Sequence, residues 1–260
     1  MTHIAIVGIA GRMGGELLET AGDVDGVTIV AGVESSDSPE LDTEMHPGDV
    51  PVTDDPAEAF ASADIAIDFS SPAGCVEAAE AAAEADVGFV SGTTGLDEAQ
   101  TDRIDSLAAR TPVLRASNFS VGINLLLKLV ADASEATDGD FDVEIFEAHH
   151  RNKVDAPSGT ALSLGESAAD ARDWELEEVA QWGRHGEVGE RDDDEIGFQV
   201  MRGGGVVGDH TVSFCGPGER IELTHRAGDR GIFARGALTA AKWLEGREAG
   251  MFTMKDVLFG

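Results

Sequence analysis

Lysine is almost missing from this chain of 260 residues: only Lys128, Lys153, Lys242 and Lys255 are present. Lysine and arginine together number 18 against 50 aspartates and glutamates, so the formal net charge is −32. Binding to phosphate-rich surfaces needs a basic face, so this shortage of base excludes nucleic acid and an anionic membrane as partners. Cysteine is scarce as well. Cys75 and Cys215 stand far apart and form no metal-ligand or redox spacing, so no metal centre is expected, and both suit core or loop thiols of a reducing cytoplasm. No apolar run is long enough to span a bilayer. The opening MTHIAIVGIAGRMG lacks a basic stretch followed by an apolar one, so the expectation is a cytoplasmic chain with no signal peptide and no membrane contact.

What the chain has in quantity is acid and a core. Hydrophobic residues make up 42%, which fits a folded protein and not an acidic disordered tail. The length suffices for one large domain or two modest ones. The acid is spread along the sequence, as on a surface adapted to concentrated salt, where carboxylates hold water and ions screen their repulsion. The plainer reading is an ordinary acidic protein.

The first 116 residues alternate strand-like and helix-like segments. Strands are expected at 3–7, 27–33, 63–70, 87–92 and 111–117, with helices at 12–21, 73–85 and 97–110. This rhythm predicts a parallel, doubly wound, Rossmann-like α/β sheet. A helix over 122–136 follows. Strand-like runs at 141–149, 195–202, 209–216 and 220–227 then suggest a mixed or mostly antiparallel second sheet carrying a helix from about 158 to 171, an α+β arrangement. The charged, glycine-rich stretch 183–195 reads as an exposed loop. An amphipathic helix over 230–246 and a short tail end the chain.

GIAGRMG, residues 8–14, joins the first strand to the first helix. Glycines at 8, 11 and 14 let the backbone turn tightly and approach a pyrophosphate, whose charge is met by N–H groups at the helix start. Glu34 ends the second strand 20 residues after Gly14, where a ribose-binding acid is expected. A carboxylate there favours NAD(H) over a 2′-phosphate, and Ser35 and Ser36 follow it; only Arg12 is near enough to meet such a phosphate. A tight turn without a ligand, and a mere surface acid at 34, are the plainer readings. SGTTGL (91–96) and ASNFSVG (116–122) end two further strands, at the edge where open α/β sheets bind ligands.

EAHHRNKVDAPSGTA, residues 147–161, gathers scarce cations next to a helix start. If the strand continues, His149 and His150 point to opposite sides. Histidine moves protons near neutral pH, lysine supplies a point charge, and Ser158 is placed to cap a helix whose first N–H groups would meet an anion. The stretch suits a small dicarboxylate that is protonated as it reacts. Two incidental histidines beside an ordinary helix cap are the alternative.

GIAGRMG, DFSSP (68–72), SGTTG, ASNFSVGIN, EAHHRNKVDAPSGTA and RGGGVVGDHTVSF (202–214) occur in order over nearly the whole chain. Together they resemble the 4-hydroxy-tetrahydrodipicolinate reductase (dihydrodipicolinate reductase) family of diaminopimelate and lysine biosynthesis. The resemblance implies a dinucleotide-binding domain of residues 1–120 and 230–260, and a substrate-binding, tetramer-forming domain of residues 121–229. It implies NADH or NADPH as cofactor, a cyclic imine dicarboxylate as substrate, and a homotetramer. By motif match His149 donates and accepts a proton and Lys153 donates one. His150, Gly159 and Thr160 hold the substrate carboxylates. Gly8, Ile9, Ala10, Gly11, Arg12 and Met13 cradle the pyrophosphate, and Glu34 holds the adenosine ribose. Gly92, Thr93, Thr94, Ala116, Ser117, Asn118 and Phe119 surround the nicotinamide half.

Some family members carry arginine where this chain has Ser35, so NADH is expected to serve at least as well as NADPH. Two other readings compete: a related nicotinamide-dependent reductase of another imine or semialdehyde, and a cofactor-sensing module without turnover. The second would not need both His149 and Lys153.

Overall fold

The computed structural model describes residues 1–137 and 139–260. They divide into two compact units, residues 1–121 with 231–260, and residues 122–230.

The chain opens with β1 (Thr2–Val7), α1 (Arg12–Ala21) and β2 (Val27–Val33). A two-residue β3 (Glu44–Met45), β4 (Val50–Thr53) and α2 (Pro56–Phe60) follow. Then come β5 (Ile65–Asp68), α3 (Pro72–Glu84), β6 (Gly88–Ser91), α4 (Glu98–Leu107) and β7 (Pro112–Arg115). The expected strand–helix rhythm is present. The three elements between 44 and 60 lie outside it, because each is five residues or fewer and shows no full period of either pattern. Alternation along β1 explains the layers: Ile4 and Ile6 enter one core, Ala5 and Val7 the other. A strand buried on both faces reads as a continuous apolar run, the mark of a parallel sheet covered by helices.

The middle of the chain forms α5 (Val121–Ala136), β8 (Asp142–His149), α6 (Gly159–Asp170), α7 (Leu176–Val179) and β9 (Ala180–Gln181). It continues with β10 (Ile196–Arg202), β11 (Gly208–Gly216) and β12 (Glu219–Ala227). The sheet order is β12-β11-β8-β10-β9. It is mixed: β8 runs parallel to β10, and β11 is antiparallel to β8 and β12. Val143, Ile145, Phe198, Val212 and Phe214 of the sheet share a core with Leu126 and Val130 of α5 and Leu164 of α6.

The chain then returns to the first unit with α8 (Gly231–Leu244), β13 (Gly250–Phe252) and α9 (Met254–Phe259). The expected short tail is in fact structured. β13 adds an edge strand parallel to β7, and Met254, 1% exposed, anchors α9 in the core. The completed sheet reads β13-β7-β6-β5-β1-β2-β4-β3, parallel except for the β3–β4 pair.

Candidate active site

In the first unit the strands β1, β2, β5, β6 and β7 run the same way, so their carboxyl ends share one edge. Residues 8–11, 34, 92–94 and 116–119 lie in the loops leaving that edge, and Arg12 and Met13 open α1. Gly8 has φ +78°, and its N–H donates to the Val33 carbonyl at 2.9 Å. A Cβ on Gly8 would stand 2.9 Å from the Phe69 carbonyl oxygen, and one on Gly14 would overlap the Gly8 oxygen and the Ile9 backbone. The loop therefore turns into α1 with no room for side chains at these glycines. Gly11 is the N-cap of α1 and no side chain caps it. The Ile9 side chain is fully buried in the core beneath the loop.

The Glu34 carboxylate lies directly against this loop, its Oε1 accepting the Ala10 N–H at 2.7 Å. A cavity of about 850 Å³ opens here, lined by Gly8, Ala10, Gly11, Glu34, Ser35, Ser36 and residues 69–71, with Asp54 and Glu77 on its walls. Among the described residues no arginine or lysine lines it.

Asp68, fully buried at the end of β5, ties two of the edge loops together. Its oxygens accept from the hydroxyls of Ser70 and Ser91. Ser91 Oγ in turn accepts the Thr93 N–H at 3.2 Å, and Thr93 Oγ1 accepts the Ser70 N–H at 3.0 Å. Cys75 packs against Ser91; burial first, then the Asp68 charge, pushes its thiol up to about 12, so it is unreactive. Thr93, Thr94, Ala116 and Ser117 line a second cavity of about 370 Å³. Asn118 Oδ1 accepts the Ser120 N–H at 2.9 Å. The Phe119 ring is buried and meets Phe69 edge-on at 5.6 Å, so this side chain supports the loop from beneath.

In the second unit, β8 ends at His149. Val143, Ile145, Glu147 and His149 fall on one face by alternation, so two core residues are followed by a buried carboxylate and an imidazole. Glu147 is 1% exposed. Its Oε2 is 2.6 Å from His149 Nδ1, and its Oε1 accepts the Ser158 N–H at 3.0 Å. Arg202, paired with His149 across β8 and β10, grips both oxygens at 2.7 and 2.8 Å. Burial alone would raise the Glu147 pKa; the Arg202 hydrogen bonds, then His149 and the Ser158 N–H, hold it below the ordinary carboxylate value.

Ser158 caps α6 by accepting the Ala161 N–H and lies 3.1 Å from His210 Nε2. Gly159 and Thr160 open that helix, so the network joins the end of β8 to the start of α6. The His149 and His210 rings meet edge-on at 5.2 Å. Burial, then the neighbouring His149, lowers the His210 pKa to about 4. His150 lies one residue past the strand, where the chain turns; it is half-buried and the two-sided strand geometry does not apply. Lys153 Nζ pairs with Asp155 at 2.9 Å. The Asp155 carbonyl accepts from Arg202 at 2.7 Å, which fixes the 150–157 loop to the same arginine.

Sequence reasoning does not single out Glu147, Arg202 or His210 as site residues. A signal for Glu147 exists: alternation from Val143 and Ile145 places it on the core face, where a lone carboxylate needs partners. Arg202 and His210 depend on strand register, which no local pattern reveals.

Two family models match the chain: "Dihydrodipicolinate reductase, N-terminus" over residues 2–119 and "Dihydrodipicolinate reductase, C-terminus" over residues 122–258. The 4-hydroxy-tetrahydrodipicolinate reductase of Alkalilimnicola ehrlichii is 47% identical over 99% of this chain and 98% of that protein. The protein of the same name from Beijerinckia indica is 48% identical over 98% and 96%. Among solved structures, a dipicolinate-bound dihydrodipicolinate reductase from Paenisporosarcina sp. TG-14 superposes with a TM-score of 0.79 at 25% identity, covering 97% of each chain. A probable dehydrogenase from Thermotoga maritima shares the fold, with a TM-score of 0.61 at 15% identity over 98% of this chain and 92% of that one.

Proposed function

The chain belongs to the dihydrodipicolinate reductase family, and on that premise we propose how its two units work. It is an oxidoreductase that reduces 4-hydroxy-tetrahydrodipicolinate with NADH or NADPH, on the diaminopimelate route to lysine. In the net change water leaves the substrate, and one hydride and one proton are added to its ring. The observation that carries the reading is the buried Glu147–His149 pair set beside the capped start of α6: a proton-handling group next to an anion-holding one.

The first unit fits a dinucleotide. Its glycines leave no room for side chains at the turn, α1 starts without a side-chain cap, and Glu34 lies against the loop, where a ribose hydroxyl would meet it. Gly8 to Met13 hold the pyrophosphate, Glu34 the adenosine ribose, and residues 92–94 and 116–119 the nicotinamide half. The bound reduced nicotinamide supplies the hydride. His149 and Lys153 handle protons. His150 and the N–H groups of Gly159 and Thr160 hold the substrate carboxylates, and the dipicolinate bound to the solved Paenisporosarcina relative is a dicarboxylate of this kind.

NADH serves at least as well as NADPH, because the adenosine-side cavity presents Glu34, Asp54 and Glu77 and, among the described residues, no lysine or arginine to a 2′-phosphate. The protein works in the cytoplasm; among the described residues no helix is long and apolar enough to cross a membrane. It assembles as a homotetramer through the second sheet, whose face opposite the helices leaves Phe146 and Met201 exposed. Its acidic surface is adapted to concentrated salt.

The test is isotope transfer. NADH carrying deuterium at both C4 positions is incubated with the chain and with substrate made in situ from pyruvate and aspartate semialdehyde by the preceding synthase. Deuterium on the reduced ring, read by mass spectrometry and lost in His149→Gln, is the expected result. Deuterium-free product would refute direct hydride transfer.

A further inference from the structure

We infer that Glu147 is the positioning residue of His149, holding its imidazole with the proton on Nδ1 so that Nε2 is the nitrogen that exchanges a proton with the substrate. This role rests on the reading of His149 as the proton-handling residue.

The geometry is unusually complete for one carboxylate. Oε1 receives Ser158 N–H and one arm of Arg202; Oε2 receives the other arm and faces His149 Nδ1 at 2.6 Å. An ionised carboxylate only accepts hydrogen bonds. Nδ1 must therefore carry the hydrogen, and the lone pair of the neutral ring is left on Nε2. The surroundings of Nε2 agree. A Cβ on Gly208 would stand 3.1 Å from Nε2, so the absence of a side chain there leaves space beside this nitrogen. The charged and titratable groups packed against the ring come from its own and the neighbouring strands: Glu147 on β8 at Nδ1, Arg202 on β10 through its grip on Glu147, and His210 on β11 edge-on at 5.2 Å. Of these groups, Glu147 is the one that stands within hydrogen-bond reach of Nδ1.

A purely structural role for the Glu147–Arg202 pair is the competing account, and Glu147→Gln separates the two. The glutamine keeps the shape. Its single carbonyl oxygen is best used at the Oε1 position, where Ser158 N–H and Arg202 both donate. The amide NH₂ then faces Nδ1, which turns into an acceptor and moves the ring hydrogen to Nε2, while the Arg202 arm that bonds Oε2 loses its acceptor. The expected result is a kcat lower by about 100-fold, with NADH affinity and substrate KM within about threefold of wild type. A structural role would instead leave kcat near wild type or lower thermal stability and both affinities together.

The decisive signature is spectroscopic. In protein labelled with ¹⁵N-histidine, the resonance missing from His149→Gln belongs to His149. In neutral wild type it should show the Nδ1–H tautomer, and in Glu147→Gln the Nε2–H tautomer. An Nε2–H tautomer in the wild type overturns the inference without any need for the variant to fold, as does full turnover in Glu147→Gln. Failure of the underlying reading looks different: His149→Gln would then keep wild-type turnover.

Discussion

His210 lies 4% exposed between β8 and β12, beside His149 and with His225 opposite it in register. Burial, then the neighbouring His149, lowers its pKa to about 4 from the ordinary 6.5. Between those values the unfolded chain binds a proton that the folded chain refuses. Stability is thus fully present above about pH 6.5 and is lost as pH falls towards about 4, by roughly 3 kcal/mol over the window. Urea titrations at pH 7 and pH 4.5 should show that loss, and His210→Gln should remove most of it. An equal slope in the variant would mean that another group titrates there. From the acid end of this window downward the depressed carboxyls Glu144 and Glu147 add to the loss: their stabilisation is fully present above the ordinary carboxylate value of 4.5 and is lost as pH falls through their lowered values. The residue scale is also where the sequence is least complete. His149, Lys153 and Glu34 can be named from motif and chemistry, but Arg202 and His210 join the site only through the register of β10 and β11 on β8.

The nucleotide end is an assembly of elements, and its critical contact is between the start of α1 and the loop that precedes it. A methyl group on Gly14 would overlap the Gly8 oxygen and the Ile9 backbone, so neither side can yield without moving the helix start. Gly14→Ala is expected to weaken NADH binding at least about tenfold, read by nicotinamide fluorescence, because the N–H groups at the helix start lose their aim. Unchanged affinity would place the pyrophosphate elsewhere. The long, strongly periodic elements are legible in the sequence: α1, β2 and α5 fall within a residue of expectation because their patterns run for two turns or more, or for a full alternating strand. The short ones are not. α2 announces itself only by its cap, Asp55 accepting the Ala57 N–H with Pro56 at the first helical position. β13 is three residues long and exists because β7 offers an open edge, a tertiary cause that no local pattern carries.

At the scale of the whole molecule the scarcity of cations and their placement belong together. With 18 basic residues against 50 acidic ones, a dianionic substrate and a phosphate-bearing cofactor would be repelled by most of the surface. The sites meet this in two ways. On the proposed assignment the second unit sets Arg202, paired with Glu147, and Lys153, paired with Asp155 in the loop after His149, at the substrate site, and the first unit uses backbone N–H groups at the start of α1 in place of side-chain charge. In about 1 M salt the screening length falls to roughly 3 Å, which silences the distant carboxylates and spares contacts made within bonding distance. The most direct test of the central claim is NADH and NADPH oxidation in multimolar KCl, with substrate generated in situ by the synthase. The expected result is loss of reduced-nicotinamide absorbance only when the synthase product is present, with NADH at least as fast as NADPH and both rates falling in dilute buffer. No oxidation with either cofactor by folded protein in that salt would contradict the reductase activity, and a clear preference for NADPH would contradict the role given to Glu34.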